Sequence, residues 1–277
     1  MPQQSAADAV SSCANSGSTI LSGLDLPPVR VDVWLVPAVT EESDVERIAG
    51  AWLSVAERER LNGRRLAKGR AMFLLTRAVL RRLLSAYRPD IGPAEWQIGR
   101  SAEGRPCVLG PVSAPAFNLS HTDDMLVLVF TANGEPGVDI ESLDRQLDAI
   151  ALAERFFSGA EFQALQALPP VQRQDRFLRL WTLKEACVKA NGQGLARALR
   201  DFEFDFEEGL RFYPAPQEAP PHRHWRLWSA TLSGLRIAVT WRCAEKPCSS
   251  SELRVRQLSW PDQVSALDCT PEYDCAL

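Results

Sequence analysis

The first regular hydrophobic run, Val31–Val36, places β-branched residues around Trp34 and predicts a strand. A short helix is expected between Ser43 and Leu53. Ser54 is placed to cap the next helix, because Glu57 follows three residues later as in a capping box. From Arg58 to Tyr87, Leu61, Leu66, Phe73, Leu74, Val79, Leu80 and Leu83 recur at helical spacing. Gly63 and Gly69 weaken that helix and mark a candidate break, and Pro89 ends it. From Trp96 the texture changes. Trp96–Gly99, Ala116–Ser120, Met125–Thr131 and Gly137–Glu141 read as strands, with turns at Ala102–Pro106 and Asn133–Gly134. Helical spacing returns over Ala149–Leu168, with a new cap available at Ser158–Gly159, and over Gln172–Ala190, stopped by Asn191–Gly192. Phe202–Phe206, Leu210–Tyr213, Trp225–Ser229 and Leu235–Trp241 then read as strands.

The order strand, long helix, strands occurs twice. It predicts an α+β fold of two similar lobes, each a small sheet packed with a long helix, meeting near residue 145. Residues 1–27, rich in Ser, Ala and Gln, read as a flexible N-terminal arm. Residues 28–145 form the expected N-terminal lobe and 146–245 the C-terminal lobe. Residues 246–277 show little pattern beyond Leu253–Leu258 and read as a partly ordered tail.

Composition narrows the function classes. At 45% hydrophobic and 24% charged residues the chain has an ordinary globular balance. A net charge of −4 gives no general reason to expect a nucleic acid or an anionic membrane as partner. There is no uncharged apolar run long enough to span a bilayer, and the first residues lack the basic and apolar regions of a secretory signal. The seven cysteines form no CxxC pair, which argues against zinc and fits a reducing cytoplasm.

The candidate chemistry is therefore local. Asp139 and Glu141 lie two apart on a predicted strand, so both carboxylates share a face. They repel unless a cation, a base or a shared proton compensates, and an oxygen-only donor set favours magnesium. An exposed strand face with two solvated acids is the plainer alternative. Trp181, Glu185 and Lys189 form one stripe at i, i+4 and i+8. A surface ion pair at that spacing contributes only about 0.3–0.5 kcal/mol. Asn118, Ser120 and His121 close a strand with groups that hydrogen-bond an anion or a nucleotide. Arg100, Arg105 and the cluster Arg60, Arg64, Arg65, Lys68 and Arg70 suit phosphate, although a basic helix face is often simply solvated.

Gly137-Val138-Asp139-Ile140-Glu141 and Trp181-Thr182-Leu183-Lys184-Glu185-Ala186-Cys187-Val188-Lys189 resemble the two signature motifs of 4'-phosphopantetheinyl transferases. Phe117-Asn118-Leu119-Ser120-His121, Gly104-Arg105-Pro106, and Arg155-Phe156-Phe157-Ser158 followed by Glu161 are similar to further segments of that family. Their order and spacing match over residues 30–245. Length and lobe pattern resemble the Sfp type, a pseudo-dimer in one monomeric chain, rather than the short trimeric type. The resemblance implies transfer of the phosphopantetheine arm of coenzyme A to a serine of an apo acyl or peptidyl carrier protein, as in holo-[acyl-carrier-protein] synthases, with release of 3',5'-ADP. It implies Mg2+, or Mn2+ in its place, held by Asp139, Glu141 and Glu185. It makes Glu185, directly or through a water, the proton acceptor, with Lys189 and Asp139 as catalytic partners. It assigns Lys68, Arg100, Arg105, Asn118, Ser120 and His121 to coenzyme A, together with Asp139, Glu185 and Lys189. One departure stands out: Met72 precedes Phe73 where family members often carry arginine.

Overall fold

The computed structural model describes residues 19–39, 41–102, 104–192, 199–206, 209–214, 224–243, 252–267, 269 and 271–276. Thr19–Ile20 (β1), Arg30–Pro37 (β2), Glu42–Ala49 (α1), Val55–Asn62 (α2) and Ala67–Tyr87 (α3) come first. Ile98–Arg100 (β3), Pro106–Val108 (β4), Ala116–His121 (β5), Met125–Thr131 (β6) and Glu135–Ser142 (β7) follow. Then come Ala149–Phe156 (α4), Gly159–Ala167 (α5), Pro170–Asn191 (α6), Glu203–Asp205 (β8) and Arg211–Tyr213 (β9). The chain closes with His224–Leu232 (β10), Leu235–Cys243 (β11), Glu252–Ser259 (β12), Gln263–Ala266 (β13) and Tyr273–Ala276 (β14). Among the described residues no helix is long and apolar enough to cross a membrane.

Two sheets stack face to face between two long helices. The first runs β1-β13-β12-β2-β6-β5 and the second β14-β10-β11-β7, with β3–β4 and β8–β9 as separate hairpins. Val31, Val33, Leu35, Val127 and Val129 of the first sheet pack against Val138, Ile140, Ile237 and Val239 of the second. The opposite face of β2 and β6, with Trp34, Val36, Leu126 and Leu128, is covered by Leu74, Leu75, Val79 and Leu83 of α3. Helix α6 covers the second sheet with Phe177, Leu178, Leu183 and Ala186. Both faces of β2 and β6 are thus dry, which is why these strands read as continuous apolar runs. The fold is α+β and two-lobed, each lobe a mainly antiparallel sheet carrying one long helix.

The local signals act where they stand. Ser54 Oγ accepts from the Glu57 amide at 3.3 Å while Glu57 returns a carboxylate oxygen to the Ser54 amide at 3.0 Å. Ser158 and Glu161 repeat that box at the start of α5. The helix expected over 58–87 is two helices, because the chain leaves the first at Gly63 and restarts at Ala67. Gly69 is accommodated inside α3.

The ends differ more from expectation. Residues 1–18, Glu103, His222 and 246–251 lie outside the described residues. Thr19–Ile20 of the arm pairs with Gln263–Val264, and Leu21 is buried. Most of the described tail is strand: β12 runs parallel to β2, β13 pairs with β12, and β14 joins β10. Arg254, Arg256 and buried Gln257 break the apolar alternation of β12, which hid it in the sequence. Arg256 is inside because it reaches the fully buried Asp32 at 3.1 Å, where the Tyr87 hydroxyl donates at 2.8 Å and Arg30 at 2.9 Å. Strand β7, ahead of residue 145, pairs with β11 in the second sheet, while β12 and β13 return to the first. The chain therefore crosses between the two large sheets three times, from β6 to β7, from β11 to β12 and from β13 to β14.

Candidate active site

Strand β7 and helix α6 approach unusually closely, and Gly137 is the reason. A β-carbon there would lie 2.0 Å from the Ala186 carbonyl oxygen and 2.7 Å from the Ala190 amide nitrogen. Without a side chain the helix backbone sits on the strand, and Thr240 Oγ1 donates to the Ala186 carbonyl at 2.9 Å. Side chains on the facing surfaces then meet. Val138 and Ile140 point into the intersheet core, so alternation turns Asp139 and Glu141 toward α6. On α6, Trp181 stacks on Phe177 and meets Phe156 edge to face, and its stripe continues through Glu185 to Lys189.

Lys189 Nζ donates to Asp139 Oδ1 at 2.7 Å, to Ser120 Oγ at 3.0 Å and to the Val138 carbonyl at 3.1 Å. Ser120 Oγ in turn donates to Asp139 Oδ1 at 2.8 Å. Asp139, Ser120, Lys189 and Glu185 thus form one cluster drawn from β5, β7 and α6. Glu141 accepts from Arg145. Lys184, next to Glu185 in sequence, points the other way. It is fully buried against Glu161 at 2.7 Å and donates to the Leu199 carbonyl at 2.8 Å, which locks α5 and the 199–202 turn onto α6.

Among the described residues no group of three or more His, Cys, Asp or Glu side chains is gathered as a metal cluster. The protein's own cations stand where a metal's charge would be, Lys189 on Asp139 and Arg145 on Glu141. The donor set nevertheless fits a hard cation. Asp139 Oδ2 and Glu185 Oε1 are buried oxygens without a hydrogen-bond partner. Such groups are costly unless a cation or donor reaches them. Burial, then the Asp139 charge, pushes Glu185 up to about 7 against the pull of Lys189. Burial also raises Glu141, opposed by Arg145 and reinforced by Asp139. Crowded, buried carboxylates whose charged forms are penalised are a site for positive charge.

That crowding has a sign in stability. Glu185 titrates at about 7 when folded, against an ordinary value of 4.5. Its contribution is fully present below about 4.5 and is lost as pH rises through about 7. Without divalent cations, the melting temperature should fall between pH 5 and pH 8. Glu185→Gln should flatten that part of the profile, and an unchanged slope in the variant would assign it to other groups.

A cleft of about 670 Å³ meets this cluster through β5, whose Leu119 and His121, on either side of Ser120, line it. Arg60, Arg64, Arg77, Arg100, Thr76, Phe73 and His121 line it. His121 is exposed, with Nδ1 3.2 Å from the Thr122 carbonyl. Arg64 and Arg77 both lie over the Phe73 ring, at 4.8 and 5.3 Å from its centre. Burial holds the Arg77 guanidinium below its ordinary value, Arg81, Arg100 and Arg60 add to the effect, and Glu57 opposes it. A buried guanidinium with the exposed Arg60, Arg64 and Arg100 around the same cleft is a site for an anion.

The remaining expected phosphate ligands are committed elsewhere. Lys68 is exposed and pairs with Asp123 at 3.3 Å and Asp124 at 3.2 Å. Arg70 grips Glu42 with two nitrogens and donates to the Leu61 carbonyl. Neither lines the cleft, and nor does Arg65. Arg105 faces Glu135 and the end of α6, and Asn118 is buried on the Ser120 side of β5. Arg77 is the residue that sequence reasoning passed over. Its signal was present: a charge in an otherwise apolar stretch of α3, one turn beyond Phe73 and two beyond Gly69.

Comparison with known proteins bears on these motifs. Residues 135–240 match the family model of the 4'-phosphopantetheinyl transferase superfamily. The 4'-phosphopantetheinyl transferase HetI of Nostoc is 34% identical over 171 residues, which span 61% of this chain and 71% of that protein. The chain belongs to the 4'-phosphopantetheinyl transferase superfamily. The match covers nearly whole length in a Synechocystis protein bearing the same family name, 29% identical over 85% of this chain and 97% of its own. The Bacillus subtilis 4'-phosphopantetheinyl transferase ffp is 30% identical over 61% of this chain and 72% of its own. This chain is a transferase of that superfamily, of the Sfp type. The family-model match begins at Glu135 and so contains both motifs that α6 and β7 bring together.

Proposed function

We propose that this transferase moves the phosphopantetheine arm of coenzyme A onto a serine hydroxyl of an apo acyl or peptidyl carrier protein and releases 3',5'-ADP. The observation that carries the reading is a juxtaposition. Buried, unpartnered carboxylate oxygens of Asp139 and Glu185 lie beside Lys189 and Ser120, next to a cleft lined by Arg60, Arg64, Arg77 and Arg100. One part suits a cation and a proton acceptor, the other an anionic nucleotide. Free Cys107 and Cys187 support a cytoplasmic location.

Asp139, Glu141 and Glu185 would hold Mg2+ or Mn2+, which when bound neutralises pyrophosphate charge. The chain's residues supply the rest. The cleft arginines and His121 hold the phosphorylated nucleotide end and fix the pyrophosphate against β7. Glu185 takes the proton of the carrier serine as its oxygen attacks the phosphorus next to pantetheine. The bond from that phosphorus to the 3',5'-ADP oxygen breaks, and Lys189 Nζ donates to the departing phosphate. Ser120 keeps Lys189 and Asp139 in register.

Two outcomes separate this reading from a magnesium phosphohydrolase with the same acidic and basic parts. With coenzyme A, magnesium and apo carrier, 3',5'-ADP should appear in step with modified carrier, and none without carrier. Carrier-independent release of 3',5'-ADP would overturn the transferase reading. Arg77→Gln should raise KM for coenzyme A by about tenfold or more with kcat little changed, as expected for a lost charged hydrogen bond made equally in the ground and transition states. A wild-type KM in that variant would remove Arg77 from the nucleotide site.

A further inference from the structure

Arg105 stands outside the basic cleft, although the turn that carries it forms part of the wall. Its backbone carbonyl accepts from the Ser101 amide at 2.8 Å, and Arg100 donates to the Gly104 carbonyl in the same turn. Arg100 and Pro106, on either side of this turn, both line the cleft. The Arg105 guanidinium leaves in the other direction. One Nη pairs with Glu135 at the start of β7. The other donates to the Ala190 carbonyl at 2.9 Å.

Ala190 directly follows Lys189. Its carbonyl belongs to the last turn of α6, where helix carbonyls lack helical partners and carry partial negative charge. Gly192 ends that helix in the left-handed conformation, with φ of 80°. A β-carbon at Gly192 would lie 3.0 Å from Arg105 Nη2, so the cap and the guanidinium share one confined space. The Arg105 side chain is 19% exposed, which limits solvent screening of its two contacts. A planar fork can hold a carboxylate and a carbonyl together, whereas an ammonium on a flexible stem holds one of them well.

We propose that Arg105 is a positioning residue: it ties the wall of the nucleotide cleft to the last turn of α6 and so fixes Lys189 relative to Asp139. The proposal rests on the coenzyme A reading above. It differs from a nucleotide contact in where the effect falls. A contact to bound nucleotide contributes to KM. A brace on Lys189 contributes to the transfer step, because small displacements of a positioned group weaken transition-state contacts strongly.

The experiment compares wild type, Arg105→Ala, Arg105→Lys, Glu135→Ala and the Arg105→Ala/Glu135→Ala double variant. Steady-state kinetics with coenzyme A and apo carrier are read with equilibrium coenzyme A affinity and thermal melts. Arg105→Ala should lower kcat by about tenfold, with KM and Kd for coenzyme A within about twofold of wild type. Arg105→Lys should restore part of that loss, and Glu135→Ala should show a smaller loss of the same kind. The double variant should be no worse than Arg105→Ala alone, because both changes break one coupled contact. A tenfold rise in KM with kcat kept overturns the proposal and makes Arg105 a nucleotide ligand. Unchanged constants overturn it too, as does a kcat loss that only follows a loss of folded protein in the melts. Should wild type itself transfer nothing from coenzyme A, the coenzyme A reading falls and the coupling with it.

Discussion

Glu185→Gln is expected to lower kcat for transfer by about 10²–10⁴-fold, the usual range for removing a general base, while the Kd for coenzyme A stays within a few fold. The side chain is 4% exposed, and its Oε1 has no partner among the protein's own groups. An amide of the same shape keeps the packing between β7 and α6. It cannot accept the serine proton, and it removes one of the charges that would hold a cation. Nucleotide affinity should survive because the arginine cleft is lined by residues of α2, α3, β3, β4, β5 and the turns beside them, and Glu185 is not among them. Stopped-time transfer assays combined with calorimetry separate the two quantities. Transfer near the wild-type rate would show that Glu185 is not the base.

Gly137→Ala is expected to be nearly as damaging by a steric route. The new methyl would meet the Ala186 carbonyl oxygen at 2.0 Å, the Ala190 amide nitrogen at 2.7 Å and Thr240 Oγ1 at 2.8 Å. Two of these are helix backbone and cannot rotate aside, so α6 must lift from β7. Overpacking of this kind costs about 1–3 kcal/mol. The lift also carries Glu185 and Lys189 away from Asp139. A shift of about 1 Å at a catalytic group is worth about 10²-fold in rate. The melting temperature should therefore fall by several degrees and kcat by about two orders of magnitude. A fully active, equally stable Gly137→Ala protein would mean that the close helix–strand approach is unnecessary.

Much of the site is legible in the sequence because its spacing is local. Period two puts Asp139 and Glu141 on one face of β7, and period four puts Glu185 and Lys189 on one face of α6. The capping boxes at Ser54 and Ser158 mark their helices for the same reason. Gly137 in a strand already signals close backbone approach, although not by which element. The rim is less legible. Lys68, Arg70 and Arg105 look equivalent to Arg60 and Arg64 as charges. What separates them is a partner far along the chain: Asp124 for Lys68, Glu42 for Arg70, and Glu135 with Ala190 for Arg105. Spacing carries no information about such partners. The tail was obscured in the same way, since the inward-reaching Arg256 of β12 is explained only by Asp32 at the other end of the chain.

The most direct test is the intact mass of a panel of apo carrier proteins, from fatty-acid, polyketide and nonribosomal-peptide systems. Each is incubated with the protein and coenzyme A, in magnesium or in chelator. A gain of one phosphopantetheine on at least one carrier in magnesium, and none in chelator, is the expected result. Carriers that all remain unmodified in magnesium, or that gain the arm equally in chelator, would contradict a magnesium-dependent transfer centred on Asp139, Glu141 and Glu185.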